Sequence, residues 1–139
     1  MKKSILSLLI LVSISSANFS RDDNKKIVTD SSTNLQWQDD DDAKSMKKSW
    51  ENAIDYCEGL ELGGYDDWHL PNKNELLSIA DKSLHSPAIS SIFQNIINGG
   101  YSSSTTTTHD TTSSWYINFL DGMDSYNTKT SKNFVRCVR

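Results

Sequence analysis

The segment Gly63-Gly64-Tyr65-Asp66-Asp67-Trp68-His69-Leu70-Pro71-Asn72-Lys73-Asn74-Glu75-Leu76-Leu77 places unlike structural signals in one short run. Paired glycines allow a tight turn with positive φ. Trp68 and Leu70 supply apolar anchors, and Pro71 holds Leu70 in extended backbone. Asn72 then opens a helix, with Glu75 three residues on, spaced to reach back to the N–H of the cap in a capping-box pattern. A loop specified this fully is either a hub or the wall of a site. The sequence favours a structural hub carried by Trp68, Leu70, Pro71 and Glu75.

On the N-terminal side of this loop, Ser49 to Leu60 reads as the best helix in the chain. Trp50, Ala53, Ile54, Cys57 and Leu60 recur at spacings of three and four, and Ser49 is placed to cap it. Before it, Ile27-Val28-Thr29 and Leu35-Gln36-Trp37-Gln38 flank a polar turn and read as a hairpin with Leu35 and Trp37 facing inward. Between hairpin and helix lie four consecutive acids, Asp39, Asp40, Asp41 and Asp42. Carboxylates in series suggest a hard cation such as calcium, but no register starting here supplies both the Gly and the Glu of an EF-hand loop. The run is expected to be a solvated loop, with a cation site completed by distant residues as the alternative.

On the C-terminal side, Leu76, Ile79 and Ala80 mark the inward face of the second helix. Ser86-Pro87 opens a third helical pattern with Ile89, Ile92, Phe93 and Ile96 on one side, Pro sitting at the first helical position, and Gly99-Gly100 ends it. The Ser/Thr-rich tract Tyr101 to Ser114 predicts two extended arms turning at His109-Asp110, the second continuing through Trp115-Tyr116-Ile117-Asn118-Phe119. Asp121-Gly122 signals another turn. Asn133 to Arg139 reads as a closing strand.

The first 17 residues have the form of a secretory signal peptide: Lys2 and Lys3, an apolar run from Ile5 to Ile14, then Ser15-Ser16-Ala17. The apolar run is shorter than the roughly 20 residues that span a bilayer. Residues 18–25 read as a flexible lead-in and residues 26–139 as one domain. Loss of the leader takes the net charge from −4 to −6 as Lys2 and Lys3 leave. An acidic domain argues against nucleic acid as a partner, since binders of phosphate backbones carry a basic stripe. Export makes pairing of the two cysteines, Cys57 and Cys137, the natural expectation. Closing a loop of this length is worth about 4 to 5 kcal/mol in the chain-entropy model.

Several separated motifs, taken in order, resemble one family: Asp30 with Leu35 and Trp37; Trp50-x-x-Ala53-x-x-Tyr56-Cys57; Gly64-Tyr65-x-Asp67-Trp68-x-Leu70-Pro71-x-x-x-Glu75-Leu76; and Phe134-Val135-Arg136-Cys137-Val138-Arg139. This pattern is similar to the Lcl C-terminal domain family, named for the terminal domain of a collagen-like bacterial adhesin. The resemblance covers nearly all of residues 18–139. It implies a compact α+β domain of C-type-lectin-like type, related to formylglycine-generating enzymes, with two to three helices packed on antiparallel strands. It also implies that Cys57 and Cys137 form the long-range disulfide. Two positions depart from the family pattern: His69 stands where Arg is usual, and Ser102 where an aromatic commonly precedes the Ser-Ser strand.

The relationship to formylglycine-generating enzymes suggests catalysis by paired cysteines, but both cysteines stand where a structural bridge is expected. His69, His85 and His109 are widely separated and show no metal-ligand spacing, and no Gly-x-Ser-x-Gly elbow supports a hydrolase. No catalytic residue, cofactor or metal is therefore assigned. The leading expectation is an exported, non-catalytic binding or adhesion module, periplasmic or at the cell surface, recognising a glycan or a surface protein. Lys129 and Lys132 are the candidate ligand-binding residues. Together with Arg136, Arg139, Lys44, Lys47 and Lys48 they would form a basic face suited to sulfate or carboxylate groups. At least one of Arg136 and Arg139 is expected to pair internally with an acid such as Glu75. The alternative is an accessory subunit that docks on another protein through Trp115, Tyr116 and Tyr126.

Overall fold

A computed structural model describes residues 18–139; the expected signal peptide lies outside them. Two sheets carry the fold. Strands β1 (Phe19–Asp22), β2 (Ile27–Asp30) and β3 (Leu35–Gln38) form a three-stranded antiparallel sheet in sequence order. The second sheet has the order β4-β8-β5-β6-β7, from β4 (Lys47–Lys48), β5 (Gly100–Thr106), β6 (Ser113–Asn118), β7 (Met123–Thr128) and β8 (Asn133–Phe134). Its pairs are antiparallel except for one parallel contact between Tyr101 of β5 and Phe134 of β8. Three short helices, α1 (Asp42–Ser45), α2 (Trp50–Glu58) and α3 (Lys73–Ser78), complete an α+β domain.

The hairpin β2–β3 forms with Trp37 fully buried, and Asp30 explains its turn. That carboxylate accepts hydrogen bonds from the Ser32 N–H and from the Ser32 and Thr33 hydroxyls, while Asn34 adopts φ 59°. An Asp closing its own turn with neighbouring donors is a local determinant of this kind of loop. Residues expected to be a flexible lead-in instead supply β1. Phe19 packs edge-on against Phe93 with ring centroids 5.3 Å apart, and Arg21 reaches Asp39 at 2.6 Å. These partners are remote in sequence, so a polar run with one aromatic gives no local sign of order.

The hub loop is held as its residues specify. Gly63 and Gly64 have φ 63° and 84°, and Trp68 and Leu70 are each 3 % exposed. The Asn72 side chain accepts from the Glu75 N–H at 2.8 Å, and Glu75 accepts from the Asn72 N–H at 2.9 Å, so both halves of the capping box are present. The Pro71 carbonyl accepts from Ser104 N–H, joining the loop to β5. Cys57 on α2 is disulfide-bonded to Cys137, with Cα atoms 5.5 Å apart and both residues fully buried.

Two expectations about the second half need correction. The segment from Ser86 to Gly99 is not helical but a series of turns and bends, with a cis Ser86–Pro87 bond. Its backbone groups are used elsewhere: Ser86 N–H donates to Leu120 O, Ala88 N–H to Phe119 O, and Asp81 N–H to Ala88 O. Tertiary bonds thus replace the i to i−4 ladder, while Ile89 and Phe93 still enter the main core. The closing segment pairs as a regular strand only at Asn133–Phe134. Beyond it the chain inserts between β3 and the hub loop, where Val138 exchanges hydrogen bonds with His69 and Arg139 with Gln36.

Candidate functional site

The acidic run following β3 is where the sequence reading diverges most from the structure. Asp39 is fully buried, not solvated. Its carboxylate pairs with Arg136 Nη1 at 3.0 Å and Arg21 Nε at 2.6 Å, and accepts the N–H groups of Gln94 and Asn95 at 3.0 Å each. Burial alone would raise its pKa, but the Arg136 charge and these donors hold it below the usual carboxylate value. Asp40 is half-buried, whereas Asp41 and Asp42 are exposed, as expected of a solvated run. Asp40 accepts from Gln38 Nε2, Asp41 pairs with Lys44 at 3.1 Å, and Asp42 accepts from the Tyr56 hydroxyl. Among the described residues no group of three or more His, Cys, Asp or Glu is arranged to hold a metal ion.

The expected basic face does not form as a single patch. Arg136 is buried between the Phe93 and Tyr101 rings, with its guanidinium carbon 5.1 and 5.7 Å from their centroids. Arg139 binds Asp67, Nη2 to Oδ2 at 3.0 Å, and lies over the Tyr65 ring. Both arginines therefore pair internally, but with Asp39 and Asp67, and Glu75 is matched by His69 at 3.2 Å instead. Lys44 is tied to Asp41, and Lys47 lies over Phe134.

What remains is a smaller corner built on two chain crossings. Lys48 pairs in register with Asn133 at the β4/β8 junction, and Trp50 N–H donates to Lys129 O at 3.0 Å. These contacts bring Lys48 and the start of α2 beside the Lys129–Lys132 turn. Lys129 Nζ stands 4.0 Å above the Trp50 ring, and Lys48 Nζ 5.5 Å from the Tyr56 ring centre. Trp50 is fixed in turn, since its indole N–H donates to Ser103 O at 3.2 Å. A depression of about 300 Å³ is lined here by Ser49, Trp50, Glu51, Lys129 and Thr130. Glu51 is the one acid in that lining. Lys132 is exposed on the same turn.

A second aromatic group lies on the sheet. Trp115 and Tyr126 face each other in the β6/β7 register with ring centroids 5.6 Å apart, and His109 packs edge-on against Tyr126 at 4.8 Å. Lys73 at the start of α3 places Nζ 3.4 Å from the Trp115 ring centre and 2.6 Å from Asp124, whose pKa that hydrogen bond lowers. Tyr116 is not part of this group: strand alternation turns it to the other face, against Gly100. Lys48 is among the residues expected on the basic face, whereas the roles of Trp50 and Lys73 escape sequence reading, because each is defined by a partner far along the chain.

Fold and surface together define a disulfide-stapled α+β domain with a basic, aromatic corner, and with both of its cysteines used in the staple. Residues 26–139 match the Lcl C-terminal domain, and the chain belongs to that family. No curated protein matches it significantly.

Proposed function

We propose that this is an exported, non-catalytic recognition module that binds an anionic glycan at the corner formed by Lys48, Trp50, Lys129 and Lys132. The observation that carries this reading is the Lys129 ammonium held over the Trp50 ring at the edge of an open depression. A cation held over an aromatic plane offers a sulfate or carboxylate a charge partner in a fixed position. The likeness to an adhesin's terminal domain supports the same reading. Use of both cysteines in the disulfide removes the pair that formylglycine-type chemistry would need.

The test is titration of the oxidised, exported protein with sulfated, carboxylated and neutral oligosaccharides, with calcium and with chelator. Saturable binding to the charged sugars, indifferent to chelator and lost in Trp50→Ala and Lys129→Met, is the expected result. Binding that needs calcium, or that these substitutions leave intact, would overturn it.

A further inference from the structure

Two dipeptides in this chain have the sequence that most readily closes to a succinimide ring: Asn98-Gly99 and Asp121-Gly122. A glycine after Asn or Asp puts no side chain beside the amide nitrogen that must reach the side-chain carbonyl carbon. No other Asn or Asp in the sequence precedes a glycine. Which of the two reacts in the folded protein depends on how the fold holds the two reacting groups.

At Asp121-Gly122 both groups are tied. Gly122 N–H donates to Asn118 O at 2.7 Å, and Asp121 Oδ1 accepts from Met123 N–H at 3.0 Å. At Asn98-Gly99 neither is. Asn98 is exposed in the bend before β5, and its side-chain amide has no hydrogen-bond partner among the described residues. Phe119 N–H donates to Gly99 O, but the return bond that Gly99 N–H would make in an antiparallel pair is missing among the described residues. Phe119 O accepts from Ala88 N–H at 2.7 Å instead. Packing meanwhile requires the glycine, since a Cβ at position 99 would stand 2.9 Å from the Phe134 ring. The same close approach that excludes a side chain at 99 therefore leaves Asn98 beside an unshielded, unbonded amide.

We propose that Asn98 is a self-modification site that reacts with water to give aspartate and isoaspartate. The Gly99 nitrogen loses its proton and attacks Asn98 Cγ; a C–N bond forms, the Cγ–Nδ2 bond breaks, and Nδ2 leaves as ammonia. Water then opens the succinimide. Opening at Cγ gives aspartate, and opening at the main-chain carbonyl carbon leaves the backbone running through Cγ as isoaspartate. Either product adds a negative charge. Isoaspartate also lengthens the main chain by one carbon between two fixed points, the Ile97 N–H bonded to the Tyr101 hydroxyl at 3.2 Å and the Gly99 O bonded to Phe119 N–H at 3.0 Å. The start of β5 and its pairing with β6 are thereby loosened.

The test is incubation of the oxidised, folded protein in mildly alkaline water enriched in heavy oxygen, with peptide mapping by mass spectrometry, beside the same incubation in denaturant. Expected is conversion at Asn98 in the folded protein within about tenfold of its unfolded rate, while isomerisation at Asp121 slows by more than about tenfold on folding. The Asn98 rate should rise with hydroxide. Protein carrying isoaspartate should unfold at lower urea than fresh protein. Asn98→Gln, whose longer side chain does not close the five-membered ring, should keep its urea midpoint through the same incubation. Asn98 left intact in the folded protein while the unfolded chain converts would overturn the proposal. So would equal suppression at Asn98 and Asp121, which would make opening of the fold the route to both.

Discussion

The carboxylate of Asp39 and the guanidinium of Arg136 meet at 3.0 Å with neither side chain exposed to solvent. Arg136 also donates to the carbonyls of Gln38 and Asn95, and Asn95 Nδ2 donates to Asp39 O. One ion pair thereby joins the end of β3, the non-helical segment before β5, and the C-terminal chain. Two charges taken fully out of water are tolerated because almost every donor and acceptor around them is matched. Removing Asp39 leaves Arg136 buried without a counter-charge, and removing Arg136 leaves the buried Asp39 with only Arg21 and two backbone N–H groups.

Asp39→Ala and Arg136→Ala should each destabilise the domain by about 3 to 5 kcal/mol, read as a shift of the urea midpoint at unchanged slope. Removing both should cost much less than the sum of the two. Additive losses would show that the pair is not the unit that matters.

Acid should unfold the protein through the same group. Asp39 has a folded pKa below its ordinary value, so its contribution is fully present above the unfolded value near 4 and disappears as pH falls through the lower, folded one. Asp40, raised by burial, acts in the opposite sense and softens the top of that window. Stability should therefore be flat from neutral pH down to about 5 and fall steeply below about 4. In Asp39→Asn the fall should be shallower, which thermal melts at stepped pH would show.

Gly63 and Gly64 both have positive φ, yet they should not be equivalent. A Cβ on Gly64 meets nothing, whereas one on Gly63 runs into the Ile27 side chain well inside contact distance. Gly64→Ala should cost only the conformational penalty of about 1 kcal/mol. Gly63→Ala should cost at least 1 to 3 kcal/mol more by overpacking. Equal losses would mean that Ile27 gives way freely.

The Cys57–Cys137 bond closes a loop spanning a sequence separation of 80. Replacing both by Ala should lower stability by about 2 to 5 kcal/mol. Both sulfur-bearing residues are fully buried, so reductant without denaturant should act only at the rate of unfolding. Rapid reduction of the native protein, followed by thiol labelling, would contradict this.

Much of this fold was legible where local chemistry decides it. The capping box at Asn72 and Glu75, the β2–β3 hairpin, the α2 stripe and the turn at His109-Asp110 each rest on residues near one another in the chain. The failures have a common physical cause. Phe19 is ordered by Phe93, the Ser86–Gly99 segment by carbonyls of Phe119 and Leu120, and Asp39 by Arg136. In each case a long-range partner overrides a local pattern. The candidate site follows the same rule: Lys129 was legible as a surface cation, but its placement over Trp50 depends on a chain crossing that no spacing encodes.

The most direct measurement is calorimetric titration of the oxidised protein with a sulfated oligosaccharide at low and at physiological salt, alongside Trp50→Ala and Lys129→Met. The account predicts saturable binding by the wild type that weakens as salt rises and falls at least about tenfold in each variant. Absence of binding at low salt, or affinity unchanged in both variants, would contradict it.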